Sequence, residues 1–351
     1  MLNRAAARHI DVCNGDADGL CAAVQWQLHR QTAPARLVTG LKREIELLER
    51  VQAGAGDTVN VFDLSLQRNR SALQRLLDAG VRVRYFDHHA ADDIPHHPLL
   101  EAHIDRASDV CTSLLVDRAL GGAYRAWALV GAYGDNLAGV ADRLAAGAGI
   151  ESADRARLRR LGEAINYNAY GEDEADVHIA PAQLHGILVR YRDPLELVRQ
   201  EGIADAIDAM RRDDLARALA WPARWQDARA SVHVLPGAAW SRRVLGSAAN
   251  ALANAEPQRA HAVLVPQRSA GYAVSVRAPL AAPAGADAFC RRHGGGGRAR
   301  AAGIDDLPPA ELERFAADLA AFDWGDGSPH VPEPSAADEL PDDRLGGSRV
   351  P

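Results

Sequence analysis

The sequence has 351 residues, of which 47% are hydrophobic and 25% charged, and its formal net charge is −7. This length is typical of two domains, and the composition excludes collagen-like, disordered and coiled-coil chains. No apolar run reaches the roughly 18 residues needed to cross a bilayer, and no secretory signal opens the chain. The four cysteines form no CxxC pair. We therefore expect a soluble cytoplasmic protein without a membrane partner.

The first part of the chain alternates short β-type runs with helical ones. This alternation predicts right-handed crossovers and a doubly wound parallel sheet with helices on both faces, an α/β fold. In chain order, the pattern predicts a strand at Ile10, Val12 and Cys13, a helix over residues 20–28, a helix with Leu41, Ile45, Leu48 and Val51 on one face, a strand over 58–62, a helix with Leu73, Leu76 and Leu77 that Gly80 ends, a strand over 81–86 and a short apolar helix before Asp135.

The rest of the chain predicts a helical connector and a second, smaller α/β domain. Residues 138–220 have helical spacing, strands follow over 231–235, 261–265 and 272–276, and a helix covers 242–255. Leu312, Phe315, Leu319 and Phe322 form a last amphipathic face. We therefore predict an N-terminal α/β domain at 1–150, a connector at 151–228, a C-terminal α/β domain at 229–324, and a tail at 325–351. The tail holds six acidic residues and five prolines, a composition typical of disorder.

The basic residues are unusual in kind. Of the 40 basic residues, Lys42 is the only lysine, and all the others are arginine. Codon bias in a GC-rich genome explains such a preference. The functional alternative is that arginine was selected to bind phosphate, and composition alone does not separate the two.

Acidic residues and histidines follow three predicted strands. Neighbouring loops meet at the carboxyl ends of parallel strands, where open sheets bind their ligands. So many carboxylates would raise one another's pKa unless a cation joined them, and mixed carboxylate and imidazole ligands suit manganese, iron or zinc. Each segment alone has a plainer interpretation, such as a turn at the DxDG sequence. Together the segments predict a metal centre formed by Asp16, Asp18, Asp63, His88, His89 and Asp135.

The same segments resemble the four motifs of the DHH phosphoesterases: Asp16-Ala17-Asp18-Gly19, the lone Asp63, Asp87-His88-His89, and Asp135. The run from Gly295 to Gly303 resembles the GGGHxxAAG signature of the DHHA1 substrate-binding domain. The family includes RecJ-type single-strand exonucleases, nanoRNA and cyclic-dinucleotide phosphodiesterases, exopolyphosphatases and family II pyrophosphatases. The resemblance extends from about Ile10 to Gly303, which is most of the chain.

The resemblance implies a role for each matching residue. The reaction would be attack of a metal-activated water on a phosphoester, with two Mn²⁺ ions for which Mg²⁺ or Co²⁺ could substitute. His89 would contact the scissile phosphate, and Asp87 would orient the neighbouring imidazole. Asp63 would bridge the ions. The metal ligands would be Asp16, Asp18, Asp63, His88 and Asp135, and the substrate-binding residues Gly295, Gly296, Gly297, Arg298, Arg300 and Gly303.

Three positions depart from the family pattern. Many members place a metal-ligating histidine four residues before the first aspartate, and here that position is Val12. Asn14 stands where RecJ-like members often have an additional aspartate, and amide oxygen is a weaker ligand. Arg298 replaces the signature histidine, which favours phosphate binding and argues against proton transfer at that position. Because Val12 cannot coordinate a metal and Asn14 is a weaker ligand than aspartate, one of the two metal sites is expected to bind its ion weakly.

The expected substrate is a short oligonucleotide or a small nucleotide. Residues 268–303 contain six arginines and one acidic residue, beside glycines whose backbone N–H groups could form an anion-binding nest. Aromatic residues for stacking a long single strand are scarce in this region. The alternatives are a pyrophosphatase or exopolyphosphatase, and a non-catalytic nucleotide or nucleic-acid binding protein on a degenerate DHH scaffold. A homodimer is compatible with the sequence.

Overall fold

The computed structural model describes residues 7–30, 35–91 and 93–325. Two sheets are joined by a group of helices, which confirms the predicted α/β class. The predicted acidic tail, residues 325–351, lies outside the described residues apart from Gly325. Among the described helices, none is long and apolar enough to cross a membrane. All four cysteines are buried and free.

The first sheet contains five parallel strands in the order β2-β1-β3-β4-β5. Helix α1 covers one face and α2 the other. The elements of this part are β1 (His9–Asn14), α1 (Ala17–Arg30), β2 (Arg36–Gly40), β3 (Thr58–Phe62), α2 (Arg70–Asp78), β4 (Arg82–Asp87), β5 (Leu100–Ile104), α3 (Thr112–Ala119) and α4 (Arg125–Gly134).

The two faces of this sheet bury different side chains of the same strands. Phe62 and Phe86 pack in a core with α1, α3 and α4, whereas Val61 and Tyr85 pack in a second core with α2. Successive strand residues point to opposite faces, so a strand covered on both sides reads as a continuous apolar run. This explains why β3 and β4 were predictable from sequence.

Helices from the middle of the chain fill the space between the two sheets. They are α5 (Ala138–Gly147), α6 (Ser152–Asn168), α7 (Pro181–Leu188), α8 (Pro194–Gln200) and α9 (Ile203–Ala220). Helix α6 packs against α4 on one side and α9 on the other. Asp193, at the start of α8, accepts a hydrogen bond from the N–H of Leu195, which caps that helix. The connector is therefore part of the packed structure.

The second sheet has six strands in the order β10-β11-β9-β8-β7-β6. Only the β7–β8 pair is parallel. Its elements are β6 (Trp225–Gln226), β7 (Ala230–Val234), α10 (Ala239–Ala255), β8 (Ala260–Pro266), β9 (Tyr272–Arg277), α11 (Ala286–Arg292), β10 (Gly296–Arg298), β11 (Ala301–Leu307) and α12 (Leu312–Ala321).

Charged side chains hold the second sheet to the connector. Arg242 of α10 donates two hydrogen bonds to the Asp176 carboxylate, at 2.7 and 2.8 Å. The Arg268 backbone N–H, in the β8–β9 turn, donates to Glu172 at 2.8 Å. Arg43, after β2, donates to Gln267 in that same turn at 3.2 Å. The turn between β8 and β9 therefore lies beside the loop that follows β2.

The helix predicted from Leu41 to Val51 is wrong. The segment is a loop with one 3₁₀ turn, Leu47–Arg50, whose apolar side chains are buried. The side chain of Asn69 replaces helical hydrogen bonds there: its Oδ1 accepts the N–H of Leu48, and its Nδ2 donates to the Ile45 carbonyl. The helical spacing of apolar residues in this segment indicated burial and not a helix, because the buried side chains of a loop can also recur at intervals of three or four residues.

Candidate metal centre

The imidazole of His88 faces three carboxylates. Its Nδ1 lies 3.1 Å from the carbonyl of Val110, which can only accept, so Nδ1 carries a proton and Nε2 is the nitrogen that faces the cluster. Nε2 lies 3.4 Å from Asp63, 3.8 Å from Asp135 and 3.9 Å from Asp18. An imidazole held through one nitrogen, with the other facing carboxylates, has the arrangement of a metal ligand.

Asp63 directly follows β3 in a left-handed conformation, with φ at +58°. Its N–H donates to the Phe86 carbonyl at 3.0 Å, and the Thr112 hydroxyl donates to its Oδ1 at 3.3 Å. A non-glycine residue in this region costs about 1–3 kcal/mol, which the surrounding structure must offset. The neighbouring strand end therefore fixes the Asp63 carboxylate next to His88.

Asp18 lies in the first turn of α1 and is almost fully buried. Its two oxygens accept the backbone N–H groups of Thr112 and Ser113, at 2.7 and 2.8 Å. These donors are the first residues of α3, where unsatisfied N–H groups and the helix dipole stabilise an anion. One oxygen of each of Asp18 and Asp135 and the Cys111 sulfur lie within 4.8 Å of one another.

Residues 110–113 therefore serve the centre at several points. The Val110 carbonyl orients His88, the Thr112 hydroxyl contacts Asp63, and the Thr112 and Ser113 N–H groups hold Asp18. Thr112 and Ser113 were not predicted to belong to the site. Their position just before an apolar helical run was the available signal, but nothing in the sequence connected them to Asp18.

Asp87 is fully buried and organises the strand end that carries both histidines. Its Oδ1 accepts the N–H groups of His88 and His89, at 2.9 and 3.2 Å, and lies 2.6 Å from Nδ1 of His89. Its Oδ2 accepts the N–H of Leu66 at 3.3 Å. The side chain of His89 is 47% exposed. With Nδ1 bound to Asp87, the Nε2 atom of His89 is left for a ligand.

Asp16 is bound to the single lysine of the chain. Its Oδ1 accepts the N–H of Gly19 at 3.1 Å, and its Oδ2 lies 2.5 Å from Nζ of Lys42. Lys42 was noted as the only lysine but was not predicted to belong to the site. It lies twelve residues beyond the end of α1, after a strand that was not predicted, so its relation to Asp16 was not visible in the sequence.

The charges of the cluster perturb the pKa of several members. Burial and the charges of Asp16 and Asp18 raise the pKa of Asp63 well above its ordinary value. Burial, with Asp18 next, raises the pKa of Asp135 to about 7. Burial opposes protonation of His88, but the hydrogen bond to Asp63 and the nearby carboxylates outweigh it and raise its pKa to about 10. In the metal-free protein, bound protons thus reduce the repulsion between these carboxylates, as a bound cation would do in the metal-loaded protein.

The donor atoms fit a divalent transition metal. Asp63, His88 and His89 offer three donors within 4.8 Å of one another, and Asp18, Cys111 and Asp135 form a second such group. Burial raises the pKa of the Cys111 thiol well above its ordinary value, so the oxygens and the imidazole are the stronger candidates. Carboxylates with an imidazole are suited to manganese, iron or zinc.

The two N-terminal departures from the family pattern have a structural explanation. Val12 is fully buried in the core on the α2 side of the sheet. The amide of Asn14 is used within the loop: Oδ1 accepts the N–H of Asp16 at 3.1 Å, and Nδ2 donates to the Lys42 carbonyl at 3.2 Å. Neither residue is therefore free to bind a metal as the side chains are arranged.

The glycine signature lies in the β-hairpin of β10 and β11. Gly297, with φ at +146°, lies opposite Ala302, and a Cβ atom on it would lie 2.5 Å from the Ala302 Cα. A Cβ atom on Gly295 would lie 2.2 Å from the carbonyl of Gly303, which pairs with Gly296. These glycines allow two strands to approach closely.

The arginines of the second sheet divide into bound and unbound side chains. Arg268 pairs with Asp173 and Arg291 with Asp287. Arg277 donates to Asn250 at 2.5 Å. Arg298 and Arg300 are exposed, and within residues 7–30, 35–91 and 93–325 their side chains have no hydrogen-bond or ion-pair partner. These two are the arginines most available to a phosphate.

Solved structures share this fold. They include exonuclease RecJ bound to manganese (TM-score 0.61, 21% identity, 90% of this chain and 89% of that chain). A DHH-domain protein described as a member of the s1p family of ribosomal proteins has a TM-score of 0.58 at 14% identity, with 90% and 87% covered. The pGpG-specific phosphodiesterase PggH from Vibrio cholerae has 0.51 at 12%, with 90% and 98% covered.

In sequence, no family model and no curated protein matches the chain. Coverage of about nine tenths of this chain in each of these structures means that both sheets and the connecting helices take part in the similarity. The chain therefore has the fold of the DHH superfamily, in agreement with the motifs found in its sequence.

Proposed function

We propose that the protein is a metal-dependent phosphoesterase that hydrolyses phosphodiester or phosphomonoester bonds of short oligonucleotides or small nucleotides. The observation that carries this proposal is the convergence of His88 Nε2 on Asp18, Asp63 and Asp135, all within 4 Å. Beside it, His89 is held through Nδ1 and leaves Nε2 for a substrate. A cation site next to a positioned imidazole suits phosphoryl transfer.

The ion in this proposal is Mn²⁺, with Mg²⁺ or Co²⁺ as substitutes. Manganese is present in the similar RecJ structure, and the oxygen and imidazole donors of this chain suit it. When bound, the ion would supply positive charge for phosphoryl oxygens and make a water molecule more acidic. Asp18, Asp63, His88 and Asp135 would hold it.

His89 binds the phosphoryl group in this mechanism. Burial opposes its protonation, but the hydrogen bond to Asp87 outweighs burial and raises the pKa of His89 to about 9. In the metal-free protein the ring is therefore an imidazolium near neutral pH, and when Nε2 carries its proton it can donate to a non-bridging phosphate oxygen as charge develops there. Asp87 keeps the ring in this orientation.

The second sheet would bind the remainder of the substrate. Arg298 and Arg300 lie at the β10–β11 hairpin with free guanidinium groups, and each can donate to a phosphate. Two arginines suit a substrate with few phosphates better than a long strand. The similar structures include an exonuclease and a phosphodiesterase specific for pGpG, and both names support a phosphodiester substrate.

The test is hydrolysis by the purified chain with Mn²⁺. The panel contains short RNA and DNA oligomers, pGpG, cyclic dinucleotides, 3′,5′-bisphosphorylated nucleosides and inorganic pyrophosphate. We expect product from a nucleotide substrate, abolished by Asp63→Asn and retained by Asp105→Asn, since the Asp105 carboxylate is partly exposed, pairs with Arg118 and lies outside the centre. Product from pyrophosphate alone, no product, or equal turnover by Asp63→Asn would overturn the proposal. Binding of a nucleotide without turnover would favour the non-catalytic alternative.

A further inference from the structure

We infer that Lys42 takes the place of a second metal ion at Asp16, so that the centre binds one divalent ion per chain, around His88. The inference rests on the metal site of the proposed function but not on the reaction or its substrate. It replaces the expectation of two ions with one, and it assigns Lys42 as a positioning residue that acts through Asp16.

The first observation is that the donor atoms converge at His88 and leave out Asp16. Nε2 of His88 lies within 4 Å of Asp18, Asp63 and Asp135, and Nδ1 of His89 is bound to Asp87. Among the described residues, neither of the groups of three close donor atoms includes Asp16. These distances describe one centre with His88 in its middle.

The second observation is that both oxygens of Asp16 already have partners. Oδ1 accepts the N–H of Gly19, and Oδ2 lies 2.5 Å from the Lys42 ammonium. The Asp16 side chain is 5% exposed, so its charge requires a partner in the structure. Lys42 provides that charge at the oxygen that would otherwise face a cation, and a second dication beside the ammonium would meet like-charge repulsion.

The third observation is that Lys42 is held by a separate part of the chain. The backbone N–H of Lys42 donates to the Ala169 carbonyl at 3.1 Å, and Nζ of Lys42 lies 3.3 Å from Oδ1 of Asn166. The ammonium also lies 5.6 Å from the centre of the Tyr170 ring. With 32% of the Lys42 side chain exposed, these contacts limit where the ammonium can go. The end of α6 therefore directs Lys42 toward Asp16.

The fourth observation is that the end of β1 holds the loop that carries Lys42. The Asn14 side chain donates from Nδ2 to the Lys42 carbonyl at 3.2 Å. Asn14 stands where RecJ-like members often have an additional aspartate, and here its side chain positions the loop that carries Lys42. A compact ammonium also suits a single carboxylate oxygen better than the planar fork of arginine.

The experiment is equilibrium dialysis of the full-length chain against Mn²⁺, followed by measurement of metal per chain. We expect one ion in the wild type, a two-fold increase in Lys42→Met, and one ion in Lys42→Arg, which keeps the charge. Arg43→Met is the matched control, since Arg43 is the exposed neighbour, and it should bind one ion. Two ions in the wild type, or one ion in a folded Lys42→Met protein, would overturn the inference.

A second variant keeps the inference testable if Lys42→Met does not fold. Asp16→Asn should retain one Mn²⁺ per chain, whereas Asp63→Asn and His88→Ala should bind none. Loss of the ion in Asp16→Asn would overturn the role of Lys42. Retention of the ion in both Asp63→Asn and His88→Ala would instead reject the metal site of the proposed function, so the two failures can be distinguished. Reduced turnover of Lys42→Met with one ion still bound would assign Lys42 to the substrate and also overturn the inference.

Discussion

The Nε2 atom of His88 lies 3.4 Å from Oδ1 of Asp63, while Nδ1 of the same ring is bound to the Val110 carbonyl. The ring is thus fixed before any ion binds. Replacing His88 by Gln should lower Mn²⁺ affinity by about 10- to 100-fold, because an amide is a weaker and less rigid ligand. Calorimetric titration with Mn²⁺ measures this. His97→Gln, outside the cluster, is the control and should leave the affinity unchanged.

Metal affinity should rise with pH. In the metal-free protein the pKa of His88 is raised to about 10 and that of Asp135 to about 7, so an incoming cation must displace protons. Below pH 7 one further proton, that of Asp135, competes with the cation, so each pH unit should raise the apparent affinity by about tenfold more below pH 7 than above it. Titrations from pH 6 to 8.5 check this. A slope that does not change near pH 7 would contradict the assignment to Asp135.

Asp87 and His89 should differ in their effects on stability. Asp87→Ala leaves the N–H groups of His88 and His89 without their acceptor in a buried position, which should cost about 1–3 kcal/mol of unfolding free energy as well as activity. His89→Ala should remove activity with less than about 0.5 kcal/mol change in stability, because that side chain is half exposed. Denaturant unfolding and turnover measure both. Equal destabilisation by the two variants would contradict the organising role of Asp87.

The glycine hairpin provides a matched pair of substitutions. Gly297→Ala places a Cβ atom 2.5 Å from the Ala302 backbone, at a positive φ, and should destabilise the hairpin by about 1–3 kcal/mol. Gly296→Ala meets no atom within 4 Å and should be tolerated. Hydrogen exchange of β10 and β11 distinguishes them. Similar exchange in the two variants would mean that close pairing does not explain the glycines.

Arg298 and Arg300 should contribute to substrate binding through charge. Replacing either by Gln should raise KM for a nucleotide substrate by about 10-fold, since a charged hydrogen bond to phosphate contributes about 1.5–3 kcal/mol. The dependence of KM on salt concentration should weaken in the same variants. Arg291→Gln is the control, because Arg291 already pairs with Asp287. An unchanged KM in both variants would mean that the β10–β11 hairpin does not bind the substrate.

The sequence was sufficient for elements in which local pattern and tertiary environment agree. Strands β3 and β4 are buried on both faces, so their apolar runs are unambiguous, and the acidic residues after them were correctly brought to one sheet edge. Strand β5 was not predicted because it lies at the edge of the sheet and carries polar residues, with Glu101 paired to Arg84. The hairpin of β10 and β11 was not predicted because glycine has no strand propensity.

The contacts that complete the centre could not be predicted for a different reason. Lys42 reaches Asp16 from a loop 26 positions away, and Thr112 reaches Asp18 across 94 positions. Hydrophobic periodicity describes neighbours in one element and carries no information on which loops meet. The resemblance to a family named candidate ligands and an orienting role for Asp87, but it did not point to Lys42, Thr112 or Ser113.

The segment 110–113 has a consequence for how this chain can vary. Its Val110 carbonyl holds His88, its Thr112 hydroxyl holds Asp63, and its two N–H groups hold Asp18. Side-chain replacements there are tolerable one at a time, because two of the four contacts come from N–H groups that every residue except proline has. Inserting or deleting a residue in this segment is not tolerable, since it would shift all of these contacts together. Residues 110–113 must therefore keep their length for the cluster to stay assembled.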